Sequence, residues 1–289
     1  MNIFPNDSLY EEKAPLKGFK FPVPISFVKP EILTDSSGVF IFLGGLDTTN
    51  SQIRLMDHPL FHKHFLVSFE RMGSFENKNK AKRWMRCYVA ELHQVINYCV
   101  EKFGNRKIYL IGESWGGGIA IAYQKKYYNA ITSVYAWNIP NRVKDTSNRG
   151  LMQKLAIVPS MFWSILFGVV TYDPHVDVEE IDSLTTNPVI SRIKKINAKK
   201  YRRNNVSLLA AWWAIRPTWK VIKKTLDIPE YKLFYIQSKD DLMMDENFFN
   251  KIKIADRYSK ISFVDGGRHI LSGEEKWSEE LFKIIERSI

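Results

Sequence analysis

Apolar residues fall along this chain in two rhythms. Unbroken runs at Val39-Phe40-Ile41-Phe42-Leu43, Phe65-Leu66-Val67-Ser68-Phe69 and Ile108-Tyr109-Leu110-Ile111 predict strands covered on both faces, as in a parallel sheet. Trp84, Tyr88, Leu92, Val95, Cys99 and Phe103 recur in steps of three and four, which predicts an amphipathic helix over 82–103 and makes Cys99 a core residue. A helix to about residue 128 follows the third strand. Further strands are expected at 131–137, 232–236 and 261–264, with a closing helix over 274–287. Residues 19–28, broken by Pro22 and Pro24, predict an edge strand pair ahead of the main sheet.

Between 141 and 229 the strand rhythm stops, and 151–170, 188–203 and 208–225 read as helices. A plain crossover between parallel strands needs only about a dozen residues. The expectation is therefore an α/β fold with a mostly parallel central sheet flanked by helices. Its core would comprise 1–140 and 230–289, with an inserted helical cap at 141–229.

Chemistry concentrates where strand meets helix. Gly112-Glu113-Ser114-Trp115-Gly116 follows the third buried run and precedes an Ala/Ile-rich helical stretch, fitting G-x-S-x-G. A serine on so sharp a turn needs small neighbours, here Gly112 and Gly116, because backbone passes close by. The helix behind it adds N–H groups and a positive dipole end near any oxyanion that forms. The pair Gly44-Gly45 ends the first buried strand, where such a site needs a second main-chain donor. The candidate oxyanion-hole amides are those of Leu46 and Trp115.

Two later strands end on the remaining groups. Residues 232–236 lead to Asp240-Asp241, and 261–264 lead to Gly266-Gly267-Arg268-His269. A histidine takes the serine proton, and a buried carboxylate fixes its tautomer and stabilises the imidazolium. Asp241 is preferred to Asp240 because of its spacing from the turn position Ser238. The order Ser114, Asp241, His269 is the Ser, Asp, His order of this kind of elbow.

Charge and cysteine content refine the picture. The formal net charge is +11, and residues 183–226 hold eleven Lys/Arg with no Asp or Glu. Arg192, Lys195, Lys199 and Arg202 recur at helical spacing, a basic face suited to anionic partners. No nucleic-acid motif accompanies it, so nucleic acid is not expected. Cys87 and Cys99 lie too far apart on one helix for a disulfide. His58, His62 and His64 match no ligand signature, so neither metal nor cofactor is expected. The N-terminal residues lack the pattern of a secretory leader, and 156–172 is short for a span, so a cytoplasmic protein is expected.

Together these residues resemble the α/β-hydrolase superfamily over nearly the whole chain. The elbow Gly112–Gly116, the Gly44-Gly45 loop, the acid after Ile236 and His269 fall in that family's order. The cap and the stretch Asp182-Ser183-Leu184-Thr185-Thr186-Asn187-Pro188 are loosely similar to the monoacylglycerol lipase and lysophospholipase-like branch. Many members of that branch have His-Gly where this chain has Gly44-Gly45; the Gly-Gly-Leu-Asp form is similar to that of some dienelactone-hydrolase-like enzymes. The resemblance implies a serine hydrolase that cleaves carboxylic esters through an acyl-enzyme. Its substrate would be a small-molecule ester of a medium or long acyl chain, such as a lysophospholipid or monoacylglycerol, or an anionic lipid met by peripheral membrane contact through the basic cap. A thioesterase or a proline-iminopeptidase-like peptidase would use the same triad. Outside enzymes, the alternative is a catalytically silent hydrolase fold binding an anionic partner.

Overall fold

The computed structural model describes residues 9–45, 58–74, 76–79, 85–140, 181–200, 232–243 and 261–289. Its centre is an eight-stranded sheet in the order β1-β2-β4-β3-β5-β6-β7-β8. The strands are β1 (Leu9–Ala14), β2 (Val23–Val28), β3 (Val39–Leu43), β4 (Phe65–Phe69), β5 (Ile108–Glu113), β6 (Ser133–Trp137), β7 (Leu233–Ser238) and β8 (Ile261–Val264). β1 pairs antiparallel with β2, and β2 antiparallel with β4; all later pairings are parallel.

The unbroken apolar runs are explained by the two faces they cover. Alternation sends Val39, Ile41, Leu43, Val67 and Leu110 to one face, packed under α2 (Met85–Phe103) and α3 (Trp115–Lys126). Phe40, Phe42, Leu66, Tyr109 and Ile111 point to the other, where Leu281, Phe282 and Ile285 of the C-terminal helix, Glu275–Glu286, cover them. Every residue of β3, β4 and β5 is buried. Cys99 joins the first of these cores, and burial pushes its thiol pKa up. Cys87 and Cys99 are both free.

The expected edge pair differs in detail. Val23–Val28 is an inner strand, and its edge partner is Leu9–Ala14, upstream of the span the apolar pattern marked. That partner, LYEEKA, is largely exposed and polar, so hydrophobicity does not announce it; backbone pairing makes it a strand. Pro24 sits in β2 opposite Lys13 of the edge strand.

Between β6 and β7 the described residues include two helices, α4 (Ile181–Leu184) and α5 (Pro188–Lys200), following the short α1 (Pro59–His62) and the two longer helices; the closing helix is α6. The helices expected at 151–170 and 208–225 lie outside the described residues. The segment 181–200 docks on the turn after β8. Ile270 donates its N–H to the Leu184 carbonyl at 3.0 Å, Thr186 donates its N–H to Glu274 at 2.8 Å, and the Asn187 side chain donates to the Gly273 carbonyl at 2.8 Å. Among the described residues no helix is long and apolar enough to cross a membrane.

Candidate active site

Sheet register brings the reactive ends together. Leu43 pairs with Gly112, Glu113 with Trp137, Trp137 with Ile236, and Ser238 with Val264, so the C-terminal ends of β3, β5, β6, β7 and β8 form one row. β3 and β5 are neighbours whose onward connections leave in opposite directions, the kind of switch point where open α/β sheets form binding crevices.

Ser114 occupies the turn between β5 and α3 with φ 55° and ψ −123°, a backbone conformation that costs a non-glycine residue about 1–3 kcal/mol. Its N–H donates to the Trp137 carbonyl at 2.9 Å, and its carbonyl accepts from Gly117 N–H at 3.1 Å. The flanking glycines are needed for space. A Cβ on Gly116 would sit 2.0 Å from the Leu43 carbonyl oxygen, and one on Gly112 would sit 2.6 Å from Gly117 Cα. The elbow is therefore pressed directly against the end of β3, beside Gly44 and Gly45.

His269 and Asp241 arrive from β8 and β7. His269 Nδ1 lies 3.0 Å from both carboxylate oxygens of Asp241, and its Nε2 lies 2.8 Å from Ser114 Oγ. A carboxylate only accepts, so Nδ1 carries the proton and donates to it, leaving Nε2 to accept from the serine hydroxyl. All three residues are buried, none more than 7% exposed. Asp240 is exposed, and Asp241 is the acid that meets the histidine. Asp241 also accepts from Met243 N–H at 2.9 Å, which fixes the carboxylate. Burial alone would push the His269 pKa down. The charge and hydrogen bond of Asp241 outweigh it, Glu113 adds to the upward push, Lys194 opposes, and the result lies above the ordinary value of 6.5.

Asn138, which the sequence marks only as the close of a strand, ties the three loops together. Its side-chain N–H group donates to the carbonyls of Arg268 at 2.9 Å and His269 at 3.0 Å, while its Oδ1 accepts from Ser238 N–H at 2.9 Å. Ser238 Oγ in turn donates to the carbonyls of Gly266 and Gly267. Those glycines have φ +98° and +73°, and the turn presenting His269 depends on that left-handed backbone.

Of the two candidate oxyanion-hole amides, that of Trp115 belongs to the first residue of α3, so its N–H has no intrahelical acceptor. Its ring packs edge-on against Tyr88 at 5.8 Å. Leu46 lies outside the described residues. The Gly45 carbonyl before it accepts from the Arg71 guanidinium, in the loop after β4. That loop is anchored by Glu91 of α2, whose carboxylate accepts from Met72 N–H at 2.9 and 3.1 Å and from the Asn77 side chain at 3.2 Å. Complete burial raises the Glu91 pKa to about 8, against the pull of those donors. Arg71 and Glu91 are ordinary charged residues in sequence; only their burial marks them.

The histidines at 58, 62 and 64 have separate partners. His58 caps α1, His62 faces Glu31 at 3.4 Å, and His64 Nδ1 accepts from Gly38 N–H at 2.9 Å. Among the described residues no group of three or more His, Cys, Asp or Glu is arranged to hold a metal ion. In the basic segment, Arg192 is exposed, whereas Lys195 pairs with Asp182 at 2.5 Å and Lys194 is buried.

A family model described as the alpha/beta hydrolase fold matches residues 39–271. Among curated proteins no sequence matches the chain. Solved structures do. A soluble variant of monoglyceride lipase from Saccharomyces cerevisiae, in complex with a substrate analog, superposes with TM-score 0.67 at 15% identity, covering 96% of this chain and 94% of that one. Monoacylglycerol lipase from Paleococcus ferrophilus gives TM-score 0.63 at 16% identity, covering 92% and 98%. The thioesterase domain from the curacin biosynthetic pathway gives 0.65 at 12%, covering 96% and 99%.

Proposed function

The chain belongs to the alpha/beta hydrolase fold family, and from that premise we propose that it is a cytoplasmic serine hydrolase cleaving carboxylic esters through an acyl-enzyme. The observation that carries this reading is the continuous hydrogen-bonded line from Asp241 through His269 to Ser114, at 3.0 and 2.8 Å. Ser114 Oγ attacks the ester carbonyl carbon as His269 Nε2 takes its proton. The carbonyl oxygen becomes an oxyanion, held by the main-chain N–H groups of Trp115 and Leu46. His269 then gives its proton to the departing alcohol, leaving the acyl group on Ser114. Water, deprotonated by the same nitrogen, releases the acid and restores the serine. Asp241 keeps its charge throughout and steadies the imidazolium. Each oxyanion donor accounts for about 3 kcal/mol of barrier lowering.

For substrate, the reading is a monoacylglycerol or lysophospholipid. The likeness to two monoglyceride lipase structures supports the first, and the basic residues of the 183–226 segment support an anionic head group or lipid surface. Within the described residues, Arg192 lies on α5 beside exposed Val189 and Ile196, a mixed basic and apolar face that suits a membrane surface. A thioesterase is the second reading, favoured by the likeness to the curacin pathway thioesterase domain and by attraction of the same charges to an acidic carrier.

Labelling with a fluorophosphonate, located by mass spectrometry, combined with hydrolysis of p-nitrophenyl esters of increasing chain length, tests the proposal. Modification at Ser114 with turnover rising toward long chains is expected. Short-chain preference with strong acyl-thioester turnover would transfer the reading to a thioesterase. Absence of both labelling and turnover would refute an enzyme and leave the anion-binding fold.

A further inference from the structure

One buried carboxylate at the site has no part in the triad. Glu113 immediately precedes Ser114 and is 2% exposed. Strand alternation puts its side chain on the face shared with Tyr109 and Ile111, the face covered by Leu271 and α6. Its Oε2 accepts from Trp137 Nε1 at 3.0 Å, from Ser272 Oγ at 2.6 Å and from Ser272 N–H at 3.3 Å. Ser272 stands three residues after His269 in the same turn. A neutral amide oxygen could accept from the same three donors, though less strongly, so the donor geometry alone does not call for a charge. Burying a charge costs free energy that a stable fold has no need to spend.

We propose, on the basis of the serine hydrolase reading, that Glu113 is a positioning residue serving His269 as a second carboxylate. It fixes the histidine turn through Ser272, and its charge stabilises the imidazolium formed as the Ser114 proton moves to His269 Nε2. The charged groups acting on His269 are Asp241 from the loop after β7, Glu113 from β5 and Lys194 from α5; on its own turn Arg268 bonds to the Asp182 and Thr185 carbonyls and Glu274 accepts from the Thr186 and Arg268 N–H groups. Asp241 and Glu113 act in one direction and Lys194 in the other. The strand that carries Ser114 thus supplies part of the field felt by His269.

Glu113→Gln separates the two roles, because it keeps an acceptor for Ser272 and Trp137 and removes the charge. Ser272→Ala does the reverse. The full-length variants are compared with wild type by the pH profile of kcat/KM on a p-nitrophenyl ester and by nuclear magnetic resonance titration of the His269 ring. For Glu113→Gln, both midpoints are expected to move to lower pH by about half a unit to one unit, with a several-fold fall in kcat. Glu113→Asp, which keeps the charge, should lie nearer wild type. Ser272→Ala should lower kcat and leave the midpoints in place. An unmoved His269 midpoint in folded Glu113→Gln, or an equal move in Ser272→Ala, overturns the proposal. If Glu113→Gln does not fold, Glu113→Met combined with Ser272→Ala removes acceptor and hydroxyl together and carries the same expected shift. The ring titration needs no turnover. It therefore reads the effect of Glu113 even if the wild type neither labels nor hydrolyses, and a failed hydrolase reading stays distinct from a failed role for Glu113.

Discussion

Ser114 and His269, the proposed nucleophile and base, are held by different means. Ser114 is fixed almost wholly by backbone: a strand end, a helix start, and glycines pressed against the Leu43 carbonyl. The turn that carries His269 is fixed largely by side chains, with Asn138, Ser238, Glu113 and Ser272 bonding across loops far apart in sequence, while Asp241 is held by His269 and the Met243 N–H. The backbone-held side tolerates no added atom, and its identity is local. The other side can exchange partners one at a time, and its identity is distributed. A catalytic group that must stand in a strained conformation needs the first kind of support. A base that must accept and return a proton needs the second, because its surroundings set its proton affinity as well as its place.

The largest expected effect removes the nucleophile. Ser114→Ala should lower ester turnover by about a millionfold and abolish fluorophosphonate labelling, with circular dichroism and Tm close to wild type. Residual turnover near wild type would end the comparison, since no reactive group would stand on the elbow.

On the side-chain-held half, Asp241→Asn should cost about 10⁴-fold in kcat by permitting the wrong histidine tautomer. Exposed Asp240→Asn should change kcat less than about twofold. Equal losses in steady-state assays would mean the acid is shared.

The backbone-held half should respond in stability. Gly116→Ala places a Cβ at 2.0 Å from a carbonyl oxygen and is expected to cost about 3 kcal/mol in urea unfolding. Gly104→Ala meets no atom within 4 Å and suffers only its positive φ of +84°, for about 1 kcal/mol. Similar costs at both positions would remove the close approach as the reason for glycine.

A further expected effect is a dependence on pH. With the Glu91 pKa raised from 4.5 to about 8, the folded state binds the extra proton. Its stabilising contribution is complete below about pH 4.5 and is lost as pH rises through 8. Denaturant midpoints should fall across that window in wild type, and Glu91→Gln should flatten the fall. The raised His269 pKa acts on activity in the opposite sense: its base form appears only as pH climbs past its elevated midpoint, so kcat/KM should rise with pH above the ordinary 6.5.

This division also explains what was legible in the sequence. Ser114 and its glycines could be read because backbone support leaves a short local signature. Strands β3, β4 and β5 could be read because burial on both faces leaves no polar alternation. Asp241 and His269 were legible only through order, each placed just after an apolar run. Glu113 was visible within the elbow motif, yet its burial against Ser272 is a tertiary fact. Asn138 and Arg71 are common residues at strand ends, and nothing in their neighbours foretells which carbonyls they hold. β1 escaped because LYEEKA is polar, and its pairing with β2 is decided by the partner strand.

The separation of Ser114 from His269, 155 residues along the chain, also bears on synthesis. At roughly 5–20 residues per second, translation delivers Ser114 about 8–30 s before His269. During that interval the elbow strand and helix can form from local contacts, yet the serine has no group to take its proton. The line from Asp241 through His269 to Ser114 closes only when β7 docks onto β6 and β8 onto β7, the first of these being the strand pairing with the longest loop to close. Acquisition of fluorophosphonate reactivity would thus time the final docking of the sheet, making the first covalent turnover a clock for completed folding.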